Sequence, residues 1–149
     1  MLNIYIDGDG CPVKPEVFRV AHRHDLKVFV VSNSWTQVPS AGRVEAIRVD
    51  DQFDAADDWI VEHATENDIV TTSDIPLASR CIKKGIRVLG PKGNLFTDEN
   101  IGEALANRDL MAHLRESGIM TRGPAPFEKK DRSRFLQSLH ELILSIQRA

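Results

Sequence analysis

Short β-prone runs alternate with helix-patterned stretches along most of this chain, and that alternation leaves little freedom of fold. Leu2–Ile6, Leu26–Val31, Val44–Val49, Asp68–Thr72 and Ile86–Leu89 each read as a strand. Leu26–Val31 is nearly continuous in apolar residues, as expected of a strand covered on both faces. Between them, apolar residues recur at helical spacing over about Pro15–His24, Asp54–Glu66 and Ile75–Lys84. Pro76 sits in the first turn of the last of these, and Gly85 lies just past its end. Strand–helix alternation predicts an α/β three-layer sandwich around a mainly parallel sheet of about five strands.

Helices follow the fifth strand. Thr97 has the character of an N-cap, with Asp98 and Glu99 in the first turn of a helix reaching about Asn107. A second helix is expected over about Leu110–Ser117, ending at Gly118. Residues 122–126, Arg-Gly-Pro-Ala-Pro, read as a linker. A last helix is expected from about Asp131 to Gln147, with Phe135, Leu139, Leu142, Ile143 and Ile146 on its inner stripe. A length of 149 residues suits one domain with one core. Residues 122–149 are then a C-terminal helical extension docked on it.

Composition excludes several classes. The longest apolar runs fall far short of the about 20 residues that span a bilayer. The N-terminus reaches Asp7 without a basic region, so no signal peptide is expected. Cys11 and Cys81 offer neither a disulfide framework nor a paired-cysteine metal motif, which fits reduced thiols and a cytoplasmic location. The net charge of −3 argues against tight binding of nucleic acid by bulk electrostatics. The charge is uneven, however: residues 122–149 carry six Lys/Arg against three acids. That split fits an acidic metal site beside a basic flank.

Ligands of an open parallel sheet bind outside the carboxyl ends of its strands. Asp7 closes the first predicted strand and Asp9 lies in the loop after it. Asp74 follows the fourth strand. Asp54, Asp57 and Asp58 open the helix after the third, at a spacing that puts them on roughly one helix face. Each has an ordinary use as an N-cap, turn residue or first-turn acid. Convergence of three sequence-distant acidic groups at one edge favours a site. Carboxylates crowded together raise one another's pKa unless a cation compensates. Mg²⁺ and Mn²⁺ prefer such oxygen donors and keep several waters. A cation so held can orient phosphate and activate water, which is the physical case for phosphodiester chemistry.

Other residues are secondary. The five histidines form no cluster with ligand spacing. Ser32-Asn33-Ser34 follows the second strand and reaches the same edge, where Asn33 can touch substrate. Thr72 and Ser73 flank Asp74 and can support it by hydrogen bonds. Lys92, Lys129, Lys130, Arg132 and Arg134 can meet phosphates. Trp35 is either a packing anchor or a surface for base stacking.

Three segments taken in order resemble the bacterial YaiI/YqxD family. They are Ile4-Tyr5-Ile6-Asp7-Gly8-Asp9-Gly10-Cys11-Pro12, Phe53-Asp54-Ala55-Ala56-Asp57-Asp58-Trp59-Ile60-Val61, and Asp68-Ile69-Val70-Thr71-Thr72-Ser73-Asp74-Ile75-Pro76-Leu77-Ala78. Arg122-Gly123-Pro124 and Asp131-Arg132-Ser133-Arg134-Phe135 fit as well, so the resemblance covers essentially the whole chain. That family is similar to PIN-like nucleases, whose core is a parallel sheet with acidic residues that bind Mg²⁺ or Mn²⁺ for RNA cleavage. The resemblance implies a PIN-like fold and a metal-dependent ribonuclease. It marks Asp7 as the strand-end carboxylate, Asp57 as the helix acid and Asp74 as the acid of the later strand–helix junction. Asp9 and Asp54 correspond to additions particular to the family, Asp9 counted with the catalytic acids and Asp54 with the metal ligands. One departure is that the family's Asp-Ala-Asp-Ala-Cys-Pro reads Asp7-Gly8-Asp9-Gly10-Cys11-Pro12 here, which keeps the carboxylates and is expected to loosen the loop.

Two rival functions compete. The Asp7-Gly8-Asp9-Gly10 run after a strand also resembles the nucleophile motif of haloacid-dehalogenase-like phosphatases, with Asp7 attacking phosphorus and Asp9 as general acid. That chemistry also needs a Lys and then an acidic pair at a strand end. Lys83 or Lys84 can supply the first, but no such pair follows. The other rival is a non-catalytic domain that binds RNA or protein through its basic tail. The expected partner is RNA, with a homo-oligomer left open.

Overall fold

The computed structural model describes residues 2–9, 11–34, 36–40, 42–52, 54–119 and 126–148. Its strands are β1 (Asn3–Asp7), β2 (Lys27–Ser32), β3 (Val44–Arg48), β4 (Ile69–Thr71), β5 (Arg87–Leu89) and β6 (Leu95–Phe96). Its helices are α1 (Lys14–Arg23), α2 (Ala55–His63), α3 (Ile75–Lys83), α4 (Asp98–Glu116) and α5 (Lys129–Arg148). Among the described residues the strands form one sheet in the order β3-β2-β1-β4-β5-β6. The first five are parallel, as the strand–helix alternation predicts, and β6 pairs antiparallel to β5.

Side-chain alternation along the strands divides the core into two layers. Ile4, Ile6, Val28, Val30, Ile69 and Leu89 pack under α1 and α5. Tyr5, Val31, Val70 and Val88 pack under α2, α3 and the start of α4. The architecture is therefore an α/β three-layer sandwich. In α5, Phe135, Leu139 and Ile143 are fully buried, with Leu142 and Ile146 packed alongside. The helix is docked on the core by the stripe expected of it.

Three features differ from the sequence expectation. The sheet has a sixth strand, β6, of only two residues, too short to show an alternation. The two helices expected on either side of residues 107–110 are one continuous helix, α4. Neither Pro nor Gly stands between Asn107 and Leu110, so nothing ends the helix there. The loop after β1 is also held closer to β2 at Gly8 than expected. The Gly8 N–H donates to Val31 O at 2.8 Å, and an added Cβ would lie 3.0 Å from Val30 Cγ1 and 3.1 Å from Val31 O. Its lack of a side chain instead lets the β1 loop close against β2.

The chain order reverses between β1 and β4. Chain segments leaving the two strands diverge at this point and open a crevice at their carboxyl ends.

Candidate functional site

Asp7 is the last residue of β1. By strand alternation it faces the same side as Tyr5, toward α2 and α3. The pairing of Ile6 with Thr71 carries forward to Thr72 beside Asp7, and the Thr72 hydroxyl donates to Asp7 Oδ2 at 2.9 Å. The same hydroxyl accepts the Asp74 N–H at 2.9 Å. Thr72 is 2% exposed, so this single buried hydroxyl ties the end of β1 to the start of α3 through two acidic residues.

Asp74 combines its local and functional readings. It is the N-cap of α3, where Oδ1 accepts the Leu77 N–H at 3.0 Å. Asp57 comes from the first turn of α2. One carboxylate oxygen from each of Asp7, Asp57 and Asp74 lies within 4.8 Å of the others, and all three residues are half-buried.

Electrostatics set this cluster apart. Burial pushes the Asp57 carboxyl up to about 7, and Asp74, Asp7 and Asp54 push the same way against the Arg80 guanidinium. Burial also raises Asp7, with Asp74 and Asp9 adding to it while the Thr72 hydrogen bond and Lys14 oppose. Arg80 is itself engaged with Asp58 at 2.9 Å. Three oxygen donors at this spacing, with Asp57 and Asp7 disfavoured in their charged forms, are compatible with a divalent metal ion.

A family model described as "Uncharacterized BCR, YaiI/YqxD family" matches residues 5–145. The chain belongs to this family. Its curated relatives include a UPF0178 protein of Rhodospirillum centenum, 55% identical over 152 residues and covering 99% of both chains. A UPF0178 protein of Rhodospirillum rubrum is 52% identical over 148 residues, covering 99% of both. Another, from Caulobacter vibrioides, is 50% identical over 146 residues, covering 98% of this chain and 95% of its own. No solved structure matches the chain significantly.

The first three of the segments that carry the resemblance thus contribute to one cleft of about 540 Å³, lined in part by Asp7, Asp9, Asn33, Asp57, Ser73 and Asp74. Asp9 stands outside the trio. Its carboxylate accepts the Asn33 N–H at 3.1 Å and the Ser34 hydroxyl at 3.2 Å, clasping the β1 loop to the β2 loop. Asp54 also lines the cleft. It occupies the N-cap of α2 in the left-handed region, φ 64°, without a side-chain capping bond. Aspartate tolerates that conformation better than most residues. Asp54, Asp57 and Asp58 do not act as one face: Asp57 joins the trio while Asp58 pairs with Arg80 on α3.

Asp51, in the segment after β3, lines the cleft too and is not among the candidates drawn from sequence. Its signal was weak because acids after a strand are common in turns. Trp35, Gly10 and Arg122-Gly123-Pro124 lie outside the described residues. Among the basic residues, Arg132 has structural ties. Its Nη1 donates to Pro12 O at 2.8 Å and to Glu16 Oε1 at 3.1 Å, and its guanidinium lies over the Phe127 ring. Lys129, Lys130 and Arg134 are exposed, and Lys92 is half-buried in the loop after β5.

Proposed function

We propose that this protein is a divalent-cation-dependent hydrolase of phosphodiester bonds in RNA or other single-stranded nucleic acid, acting in the cytoplasm. The observation that carries the reading is the convergence of Asp7, Asp57 and Asp74 within 4.8 Å at the switch point of the sheet. Resemblance to PIN-like nucleases points the same way, as an argument by analogy.

The donor set fits Mg²⁺ or Mn²⁺. All three ligands are hard oxygens, and a trio leaves coordination positions for water and substrate. Asp7, Asp57 and Asp74 would hold the ion, with Asp54 beside them. When bound, the cation supplies charge neutralisation and Lewis acidity to a phosphate and to water.

The chain's own residues then divide the remaining work. Thr72 holds the Asp7 carboxylate and the start of α3 in fixed relation. Asn33 and Ser73 line the cleft where a phosphate or sugar would rest. Hydrolysis adds water across a P–O bond, so one proton must leave the attacking water. Asp54 and Asp51, exposed in the cleft outside the trio, can accept it, as can Asp9 on the lone pairs left by the Asn33 N–H and the Ser34 hydroxyl. No covalent intermediate on Asp7 is required, which separates this reading from an aspartyl-phosphate phosphatase.

The test is cleavage of end-labelled single-stranded RNA with Mn²⁺, compared with EDTA and with the Asp57→Asn variant. Abolished cleavage in both controls is the expected result. Cleavage that persists under thorough chelation would overturn the mechanism.

A further inference from the structure

The acidic cleft meets a polyanion poorly, because its carboxylates repel the phosphates on either side of the bond to be cut. A second, basic surface must hold the chain if the phosphodiester reading is right, and this inference rests on that reading. The fold sets one beside the cleft. Arg132 Nη1 reaches Pro12 O in the loop that leaves β1. Gly93, in the loop that leaves β5, lies directly against Arg134. A Cβ built there would stand 2.9 Å from Arg134 Cγ and 3.0 Å from its carbonyl oxygen, at φ 86° where glycine is favoured. Both loops start from carboxyl ends of strands. The first two turns of α5 are therefore fixed to the same edge of the sheet as Asp7 and Asp74, although the body of α5 covers the face opposite α2 and α3.

Not every cation in those turns is available. Arg132 is committed to Glu16 and to the Pro12 carbonyl, which makes it the bolt that sets the helix in position. Lys130 and Arg134, one helical turn apart, project from it with side chains 70% and 61% exposed. Their partners hold them weakly. Lys130 meets an exposed Glu128 at 3.2 Å, and Arg134 meets Asp131 only at 4.0 Å. The Asp131 carboxylate is meanwhile occupied in accepting the Glu128 N–H at 2.9 Å, which closes the start of the helix. Lys92 stands in the β5 loop, next to the glycine that abuts Arg134. Adjacent strands are about 4.8 Å apart, so that loop is one or two strand spacings from Asp74 and Asp7.

We infer that the β5 loop and the first two turns of α5 form the docking track for a single-stranded polynucleotide, with Lys92, Lys130 and Arg134 on its phosphates. The strand enters the acidic cleft at the β1–β4 switch point and leaves across the carboxyl ends of β4 and β5. Arg132 acts as a positioning residue for the track and does not touch the phosphates. The contacts are to backbone, so the track reads charge and spacing and carries no base preference.

The test uses the full chain with Lys130→Ala/Arg134→Ala and, separately, Lys130→Glu/Arg134→Glu. Both positions are exposed, and circular dichroism checks that α5 is retained. Binding of a fluorescent single-stranded RNA is measured in EDTA, where no cleavage occurs, across a KCl series. In parallel, Mn²⁺-dependent hydrolysis of bis(p-nitrophenyl) phosphate, too small to reach α5, is followed. The alanine pair is expected to weaken RNA binding about tenfold for every sequence and to lower the salt slope by roughly 1.4, about 0.7 for each phosphate no longer neutralised. The glutamate pair should weaken it at least 100-fold, with small-diester hydrolysis unchanged in both. Unchanged affinity and slope in both pairs would overturn the track, as would a wild-type protein that binds no RNA at low salt. Loss of RNA binding in the pairs, with no diester hydrolysis by any form, would uphold the track and remove the hydrolase reading instead.

Discussion

Two edges of the same sheet treat aspartate in opposite ways. At the amino edge Asp68, 2% exposed, precedes β4 and accepts three hydrogen bonds: from Asn3 N–H, Thr65 N–H and the Thr65 hydroxyl, at 2.8 to 3.0 Å. It staples β1 to β4 and to the turn before β4. At the carboxyl edge of those two strands, Asp7 and Asp74 face each other and Asp57; there Asp7 accepts from the Thr72 hydroxyl and Asp74 from the Leu77 N–H. A carboxylate surrounded by donors stabilises the fold by itself. Carboxylates surrounded by carboxylates raise one another's pKa unless a cation compensates. Local sequence does not separate the two cases, since Asp68 and Asp74 flank the same strand. The donors around each one do.

The contrast breaks first at activity. Asp7→Asn or Asp57→Asn should reduce cation-dependent RNA hydrolysis roughly 1000-fold, about 4 kcal/mol of transition-state stabilisation, in single-turnover assays. An equal loss from Asp68→Asn at matched folded fraction would show that the two edges are not distinct. Stability should respond in the other order. Asp68→Ala removes the acceptor of two backbone N–H groups and should cost about 2–3 kcal/mol by urea denaturation, while leaving the stabilisation by Mn²⁺ intact.

Thr72 sharpens the comparison within the carboxyl edge. Thr72→Val keeps the shape but leaves Asp7 without its donor and the Asp74 N–H without its acceptor. Hydrolysis should fall about tenfold, as for other residues that orient metal ligands. A variant with full activity would show that Asp7 is positioned by its strand alone.

The smallest effect is on pH. The Asp57 carboxyl stands at about 7 in the fold and Asp7 is raised as well, both above the unfolded value near 3.9. At these two carboxyls the folded state therefore binds more protons than the unfolded state between about pH 4 and 7, and their contribution to stability falls as pH rises through that window. Because these groups are partly exposed, the change in chelator should be roughly 1 kcal/mol between pH 5 and 8. Saturating Mg²⁺ should flatten it, and Asp57→Asn should reduce it without cation. A chelated Asp57→Asn protein with the same pH dependence of stability as the wild type would contradict the crowding of these carboxylates, since His24, whose pKa burial lowers, titrates alike in both.

Much of this was legible in sequence because period and position carry it. The apolar runs of β1 and β2, the cap and proline of α3, and the stripe of α5 each fix an element locally, and the strand–helix alternation fixes the parallel order. Asp7 and Asp74 could be set at one edge from that order alone. What could not be read depends on contacts between distant segments. Gly8 reads as a flexible residue until the closeness of Val30 and Val31 is known. Arg132 reads as one more cation until Glu16 and Pro12 are found beside it. Asp54, Asp57 and Asp58 share a helical spacing, yet the left-handed backbone at Asp54 and the Arg80 partner of Asp58 send them different ways. β6 is two residues long, too short for any periodicity.

The proposed chemistry stands or falls on whether Asp7, Asp57 and Asp74 hold one divalent cation. Crystals soaked in Mn²⁺ and measured for its anomalous scattering test this directly. The expected result is an anomalous peak in contact with a carboxylate oxygen of each of the three residues, absent in the Asp57→Asn protein under the same soak. Manganese bound only elsewhere on the molecule, or no peak between these carboxylates at saturating Mn²⁺ and pH 8, would contradict it.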